Sequence, residues 1–169
     1  MTLEHLLHTI PPIYDRNSKI LILGSFPSVK SREVSFYYGH PQNRFWRVLA
    51  AVLGCAVPSS NEEKTALLHS HNIALWDVIK SCDIVGSSDS SIKNVVPNDI
   101  GVILSSCGIR QIYSNGKTSE KLFNKYIKDT VGRDTVALPS TSPANASYNL
   151  ERLTDSWSVI KNNIRDRKS

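Results

Sequence analysis

Four short apolar runs, at residues 19–23, 72–76, 111–113 and 135–138, punctuate this chain, each β-branched or aliphatic and each followed by turn chemistry. That is the pattern of strands buried on both faces. Helical periodicity fills the stretches at 43–53, 62–70 and 119–127 and follows the last run at 149–163. Strands that alternate with helices pair in parallel, because only a crossover element returns the chain to the same end of a sheet. The predicted fold is α/β, a three-layer α/β/α sandwich around a four-stranded parallel sheet.

Composition narrows this further. At 169 residues, 40% hydrophobic and 21% charged, the chain suits one domain spanning 1–169. Its aliphatic run Ile20 to Leu23 falls far short of the roughly 20 residues that cross a bilayer, so no membrane partner is expected. Nothing at the N-terminus reads as a secretory leader, and an intracellular location follows. Cys55, Cys82 and Cys107 form no CxxC pair and are read as free thiols. His69 and His71, taken to lie in extended chain, are read as surface or packing residues, and no metal is expected. The net charge of +5 is unevenly placed. Lys161, Arg165, Arg167 and Lys168 crowd a C-terminal tail expected to fray over about 164–169. Lys30, Arg32, Arg44 and Arg47 gather around one Gly/Pro/aromatic segment, where a polyanion can be held.

Open parallel sheets bind ligands beyond the carboxyl ends of their strands. Here those segments are Gly24-Ser25-Phe26-Pro27-Ser28, the residues from Asp77 onward, Ser114-Asn115-Gly116-Lys117, and 139–145. All offer backbone amides and short polar groups, and they are expected to converge on one rim. The first continues through an aromatic loop to Trp46. Its glycines and prolines admit a close ligand, its rings offer stacking faces, and Arg44 can meet phosphate. Phe45 and Trp46 also fit a core role beside Val48, Leu49, Val52 and Leu53, which leaves Tyr37 or Tyr38 as a stacking platform. The Ser-rich stretch 87–91 reads as a loop.

These ordered segments resemble the motifs of the uracil-DNA glycosylase superfamily. GSFPS at 24–28, YYGHPQNRFW at 37–46, ALWDV at 74–78, Asn115-Gly116-Lys117 and LPSTSPA at 138–144 are together most similar to its hypoxanthine-DNA glycosylase branch, over residues 19 to about 160. Phe26 stands where mismatch-specific relatives carry a catalytic asparagine, so the resemblance moves that role to Asn43. Ser140 replaces the histidine of uracil-specific enzymes, and Ala144 replaces the intercalating leucine. The resemblance implies a glycosylase-like fold and a monofunctional, monomeric enzyme without a cofactor. It would flip deaminated bases, chiefly hypoxanthine, from DNA and excise them hydrolytically in base excision repair, leaving an abasic site. It also implies a base pocket of Phe26, Tyr38, Asp77, Asn115 and Ser140. DNA contacts are expected from Ser28, Lys30, Arg32, Arg44, Lys117, Ser142, Pro143, Ala144 and Asn145.

Physically, breaking an N-glycosidic bond builds positive charge on the sugar and negative charge on the base, so a site needs stabilisation of both and a placed water. The amide oxygen of Asn43 can accept from that water without titrating. Asn43 equally fits a cap for a helix starting at Arg44, and Asn115-Gly116 equally fits a turn. Asp77 reads as a cap or a loop-amide acceptor as readily as a base. A lyase step needs an amine, and in the motif segments only Lys117 offers one. Two alternatives stay open: a uracil or G·U/T mismatch-specific glycosylase, and a non-catalytic binder of DNA bases that lost the chemistry with Phe26.

Overall fold

The computed structural model describes residues 2–165. In chain order its elements are β1 (Leu3–Leu7), β2 (Ile20–Gly24), α1 (Val29–Val34), α2 (Phe45–Leu53), α3 (Asn61–Ser70), β3 (Ile73–Asp77), β4 (Ile79–Val85), β5 (Lys93–Pro97), α4 (Gly101–Ser106), β6 (Gln111–Asn115), α5 (Lys117–Tyr126), α6 (Lys128–Val131), β7 (Thr135–Leu138), α7 (Leu150–Trp157) and α8 (Lys161–Ile164). The four expected strands form one sheet in the order β3-β2-β6-β7, with every pairing parallel. Strand β2 is buried along its whole length because it is interior and covered on both faces, as its unbroken Ile-Leu-Ile-Leu run requires. Ile20 and Ile22 pack with Phe45 and Leu49 of α2 and Trp157 of α7, while Leu21 and Leu23 pack with Ile103 of α4 and Phe123 of α5. The sheet is thereby sandwiched between helices.

Several expectations are corrected. Strand β7 is an edge strand rather than a fully buried one: Val136 is 41% exposed. The single helix expected over 149–163 is α7, a 3₁₀ turn at Ser158–Ile160 and α8. His69 lies in the last turn of α3 and His71 caps that helix, so neither is in extended chain. Ile164, within the stretch expected to fray, is buried in the core. Residues 166–169 of that tail lie outside the described residues. A second, antiparallel sheet, β1-β4-β5, carries no counterpart in the sequence reading. Only Val78 separates β4 from β3. Cys82 and Ile84 of β4 join the cluster containing Leu21 and Leu23, so this sheet covers the same face as α4 and α5. The loop at 87–91 contains a 3₁₀ turn, Asp89–Ser91.

Register sets the site. Gly24 pairs with Asp77, Leu23 with Ser114, and Asn115 with Leu138. The carboxyl ends of all four parallel strands therefore finish at one level, and the loops leaving them face the same space.

Candidate active site

That space is a pocket of about 150 Å³ lined by Gly24 to Ser28, Tyr38, Asn43, Asp77, Asn115 and Ser140 to Ser142, with Ser87 and Asp89 from the Ser-rich loop. A cavity of this order accommodates one aromatic molecule. All four segments that follow the strands reach it, as expected. The candidate base-binding residues Phe26, Tyr38, Asp77, Asn115 and Ser140 line it together with Asn43.

The Asn43 side chain is held by two hydrogen bonds. Its Oδ1 accepts from the backbone N–H of Phe45 (2.9 Å), covering an open amide at the start of α2, and from the hydroxyl of Thr141 (2.9 Å). Helix α2 takes Arg44 as its N-cap, and no Arg44 side-chain bond caps it. Thr141 Oγ1 also accepts from Asn115 Nδ2 (3.0 Å), and Asn115 Oδ1 accepts from the Thr141 N–H (3.1 Å). Thr141 is fully buried. The resulting chain Asn115–Thr141–Asn43 spans two strand ends and the helix start. It corrects one expectation. Both lone pairs of Asn43 Oδ1 are engaged, so the oxygen is not vacant for a water, and the group Asn43 has to offer is its Nδ2 amide. Asn115 commits one N–H and one lone pair of its oxygen to Thr141, which leaves it one N–H and one lone pair on the pocket side of the chain.

The aromatic loop divides into core and wall. Tyr37 is buried and donates to the carbonyl of Pro11 (2.8 Å), and Phe45 and Trp46 belong to the core. Tyr38, at φ 53°, stacks on Phe45 with centroids 4.1 Å apart, and the Arg32 guanidinium lies over Phe26 at 5.7 Å. The Tyr38 and Phe26 rings both line the pocket. Burial, and next the neighbouring charge of Asp77, push the hydroxyls of Tyr37 and Tyr38 far above the usual phenol range. Burial likewise raises the carboxyl of Asp89, opposed by hydrogen bonds from Thr118 and Ser25.

Asp77 is neither a cap nor a loop-amide acceptor. Its Oδ2 lies 2.8 Å from His8 Nε2, and both side chains are buried. His8, just past β1, is a residue that motif reading missed, and so is Thr141. Gly24 makes room for this carboxylate: a Cβ there would meet Asp77 Oδ1 at 2.4 Å and the Tyr38 hydroxyl at 3.0 Å.

The expected DNA contacts separate into two groups. Arg44 turns inward rather than toward solvent: its guanidinium donates to the carbonyls of Ser142 (2.8 Å), Asn145 (3.1 Å) and Tyr148. Its role is to brace the 139–148 loop, at whose tip Pro143 and Ala144 are exposed. Arg32 donates to the Gly86 carbonyl (3.1 Å). Ser28 caps α1 by accepting from Ser31. Lys30 and Lys117 are exposed, Lys30 only loosely paired with Glu33 at 3.7 Å. No helix among the described residues is long and apolar enough to cross a membrane. Nor is there among them any cluster of three or more His, Cys, Asp or Glu side chains that could hold a metal.

A four-stranded parallel sheet between helices, with a ring-sized pocket across its carboxyl ends, defines an α/β sandwich that binds its ligand at the strand ends. The comparisons agree. The family model for the uracil DNA glycosylase superfamily matches residues 11–162, and the chain belongs to that superfamily. It is 36% identical over 137 residues to a protein of Methanosarcina barkeri named hypoxanthine DNA glycosylase, covering 80% of this chain and 85% of that one. A protein of the same name from Methanosarcina acetivorans is 34% identical over 152 residues, covering 89% and 94%. The solution structure of a candidate uracil DNA glycosylase from Methanosarcina acetivorans superposes with a TM-score of 0.76 at 33% identity, over 89% of this chain and 93% of that one.

Proposed function

We propose that this protein is a monofunctional DNA glycosylase that extrudes a deaminated base, chiefly hypoxanthine, and hydrolyses its glycosidic bond to leave an abasic site. The observation that carries the reading is Asn43, locked by Thr141 and Phe45 with its amide left for the pocket. Two relatives named hypoxanthine DNA glycosylase support the substrate. In this reading Asn43 Nδ2 donates to the oxygen of a water whose second lone pair attacks the sugar carbon as the glycosidic bond breaks; the bond pair leaves with the base, which takes up the proton the water sheds, and the lock fixes the direction of attack. The ring of Tyr38 or Phe26 stacks on the base. Ser140 and the remaining N–H of Asn115 reach its edge.

Lys30 and Lys117 supply phosphate contacts from the rim, and the loop tip at Pro143 and Ala144, stiffened by Arg44, presses on the minor groove. Ala144 is a small wedge, so extrusion relies on weakly paired bases such as inosine. No step calls for a cofactor or an amine nucleophile.

The test is a base panel. Oligonucleotides carrying hypoxanthine, uracil, xanthine or mismatched thymine, single-stranded and duplex, are incubated with the protein and treated with alkali. Hypoxanthine is expected to be released fastest. Much faster release of uracil from G·U would make the protein a uracil or mismatch enzyme. Retarded DNA with no alkali-labile site would make it a non-catalytic base binder.

A further inference from the structure

The His8–Asp77 pair takes no part in the hydrolysis described above. His8 is 1% exposed at its side chain and Asp77 is 5% exposed. The imidazole is boxed edge-on by Phe26 (centroids 6.0 Å) and Trp76 (6.5 Å) and tilted against Tyr37 (6.1 Å). Its Nδ1 is buried with no hydrogen-bond partner. A hydrogen on Nδ1 would be an unmet buried donor, whereas a lone pair there costs less. A carboxylate oxygen only accepts, so Nε2 carries the hydrogen and donates it to Asp77 Oδ2. The other oxygen, Oδ1, takes no hydrogen bond among the described residues. It sits against the bare backbone of Gly24 beside the Tyr38 hydroxyl, in the wall of the pocket.

We propose that His8 is a positioning residue that turns Asp77 into a fixed acceptor for the ring N–H of a lactam base, so that the pocket separates hypoxanthine from adenine at N1. The proposal rests on the base-excision reading above. Hypoxanthine carries a hydrogen at N1, which Oδ1 receives. Adenine carries a lone pair at the same atom, which the carboxylate repels. Both oxygens of Asp77 then have separate duties, and His8 decides which faces the base.

The lock makes a sharp prediction for Asp77→Asn. The Nε2–H of His8 donates and so pairs only with the amide oxygen, because the reverse tautomer would strand a hydrogen on Nδ1. The amide NH2 is therefore forced toward the pocket, where it opposes the N1–H of hypoxanthine and suits the N1 of adenine. The assay measures binding of single strands carrying 2′-fluoro-deoxyinosine or 2′-fluoro-deoxyadenosine, whose fluorine retards cleavage, together with single-turnover excision of the unfluorinated bases. The native protein is expected to prefer inosine by about tenfold or more, and Asp77→Asn to lower that ratio about tenfold or more.

Adding His8→Leu to Asp77→Asn frees the amide to rotate and moves the ratio back toward inosine. In the native background His8→Gln, which keeps an N–H donor, retains the preference and His8→Leu loses it. A merely structural His8 would weaken binding of both bases alike, leaving the ratio of His8→Gln and His8→Leu at the native value and that of the double variant at the Asp77→Asn value. That result overturns the proposal, as does a native protein with no preference for inosine. A native protein that excises nothing while the ratios shift as described removes the glycosylase reading and leaves this inference standing. Normal excision with unmoved ratios removes this inference alone.

Discussion

Replacing Asn43 separates its two duties. Asn43→Ala removes the acceptor for the Phe45 N–H and the acceptor for the Thr141 hydroxyl, both at 2.9 Å. Loss of a capping acceptor costs about 1 kcal/mol. The Thr141 hydroxyl, fully buried, then lacks a partner at about 1–3 kcal/mol. A total of about 2–4 kcal/mol corresponds to a fall in Tm of about 4–16 °C for a domain of this size. Asn43→Asp keeps both acceptors and exchanges only the amide NH2 for oxygen, so its Tm is expected within about 3 °C of native. Excision tells the rest. If Nδ2 is the working group, both variants lose about 10²–10³ in single-turnover release of hypoxanthine, the scale of one preorganised donor. Calorimetry and single-turnover kinetics on the same preparations give both numbers. An Asn43→Asp protein that cleaves within about threefold of native would refute the argument, since a carboxylate would be doing what the amide was assigned. Equally, an Asn43→Ala protein whose activity tracks its melting would reduce Asn43 to a cap.

Other perturbations address the pocket walls. Thr141→Val keeps shape but leaves Asn43 Oδ1 and Asn115 Nδ2 each short of a partner, so excision is expected to fall about tenfold or more with a stability loss of about 1–3 kcal/mol; full activity in a folded variant would dissociate Asn43 from its lock. Gly24→Ala drives a Cβ to 2.4 Å from Asp77 Oδ1 and is expected to lower hypoxanthine affinity more than Tm, as read by titration and thermal melting. Tyr38→Ala is expected to lose about 1–3 kcal/mol of base stacking in single-strand binding; unchanged binding would transfer the platform to Phe26.

Legibility followed physical redundancy. Ile20 to Leu23 could be read as a central strand because both faces of β2 are buried and every side chain must be apolar. The convergence of Gly24, Asp77, Asn115 and Ser140 also followed from the parallel topology, since each stands at or just past a strand end. Strand β4 was hidden because Lys80, Ser81 and Asp83 interrupt its apolar residues, and its pairing with β5 is irregular at Ser81. His8 was invisible for another reason: it lies 69 residues from Asp77, and a lone histidine just past a short exposed strand has no periodic or motif signal. Thr141 had none either, set in a run of Ser and Thr where only its complete burial distinguishes it. Arg44 misled because a cation in a motif invites a phosphate, whereas the carbonyls of Ser142, Asn145 and Tyr148 in an irregular loop need a donor. A loop of this length without strand partners was the available clue.

The most direct test of the central claim is a mass balance on a duplex carrying one deoxyinosine. After a single turnover, free hypoxanthine and the DNA strand are quantified together before any alkali is added. The account predicts one hypoxanthine released for each strand converted, with the strand intact and cleaved only by subsequent alkali. Bound duplex with no free base, or a strand already nicked without alkali, would contradict it.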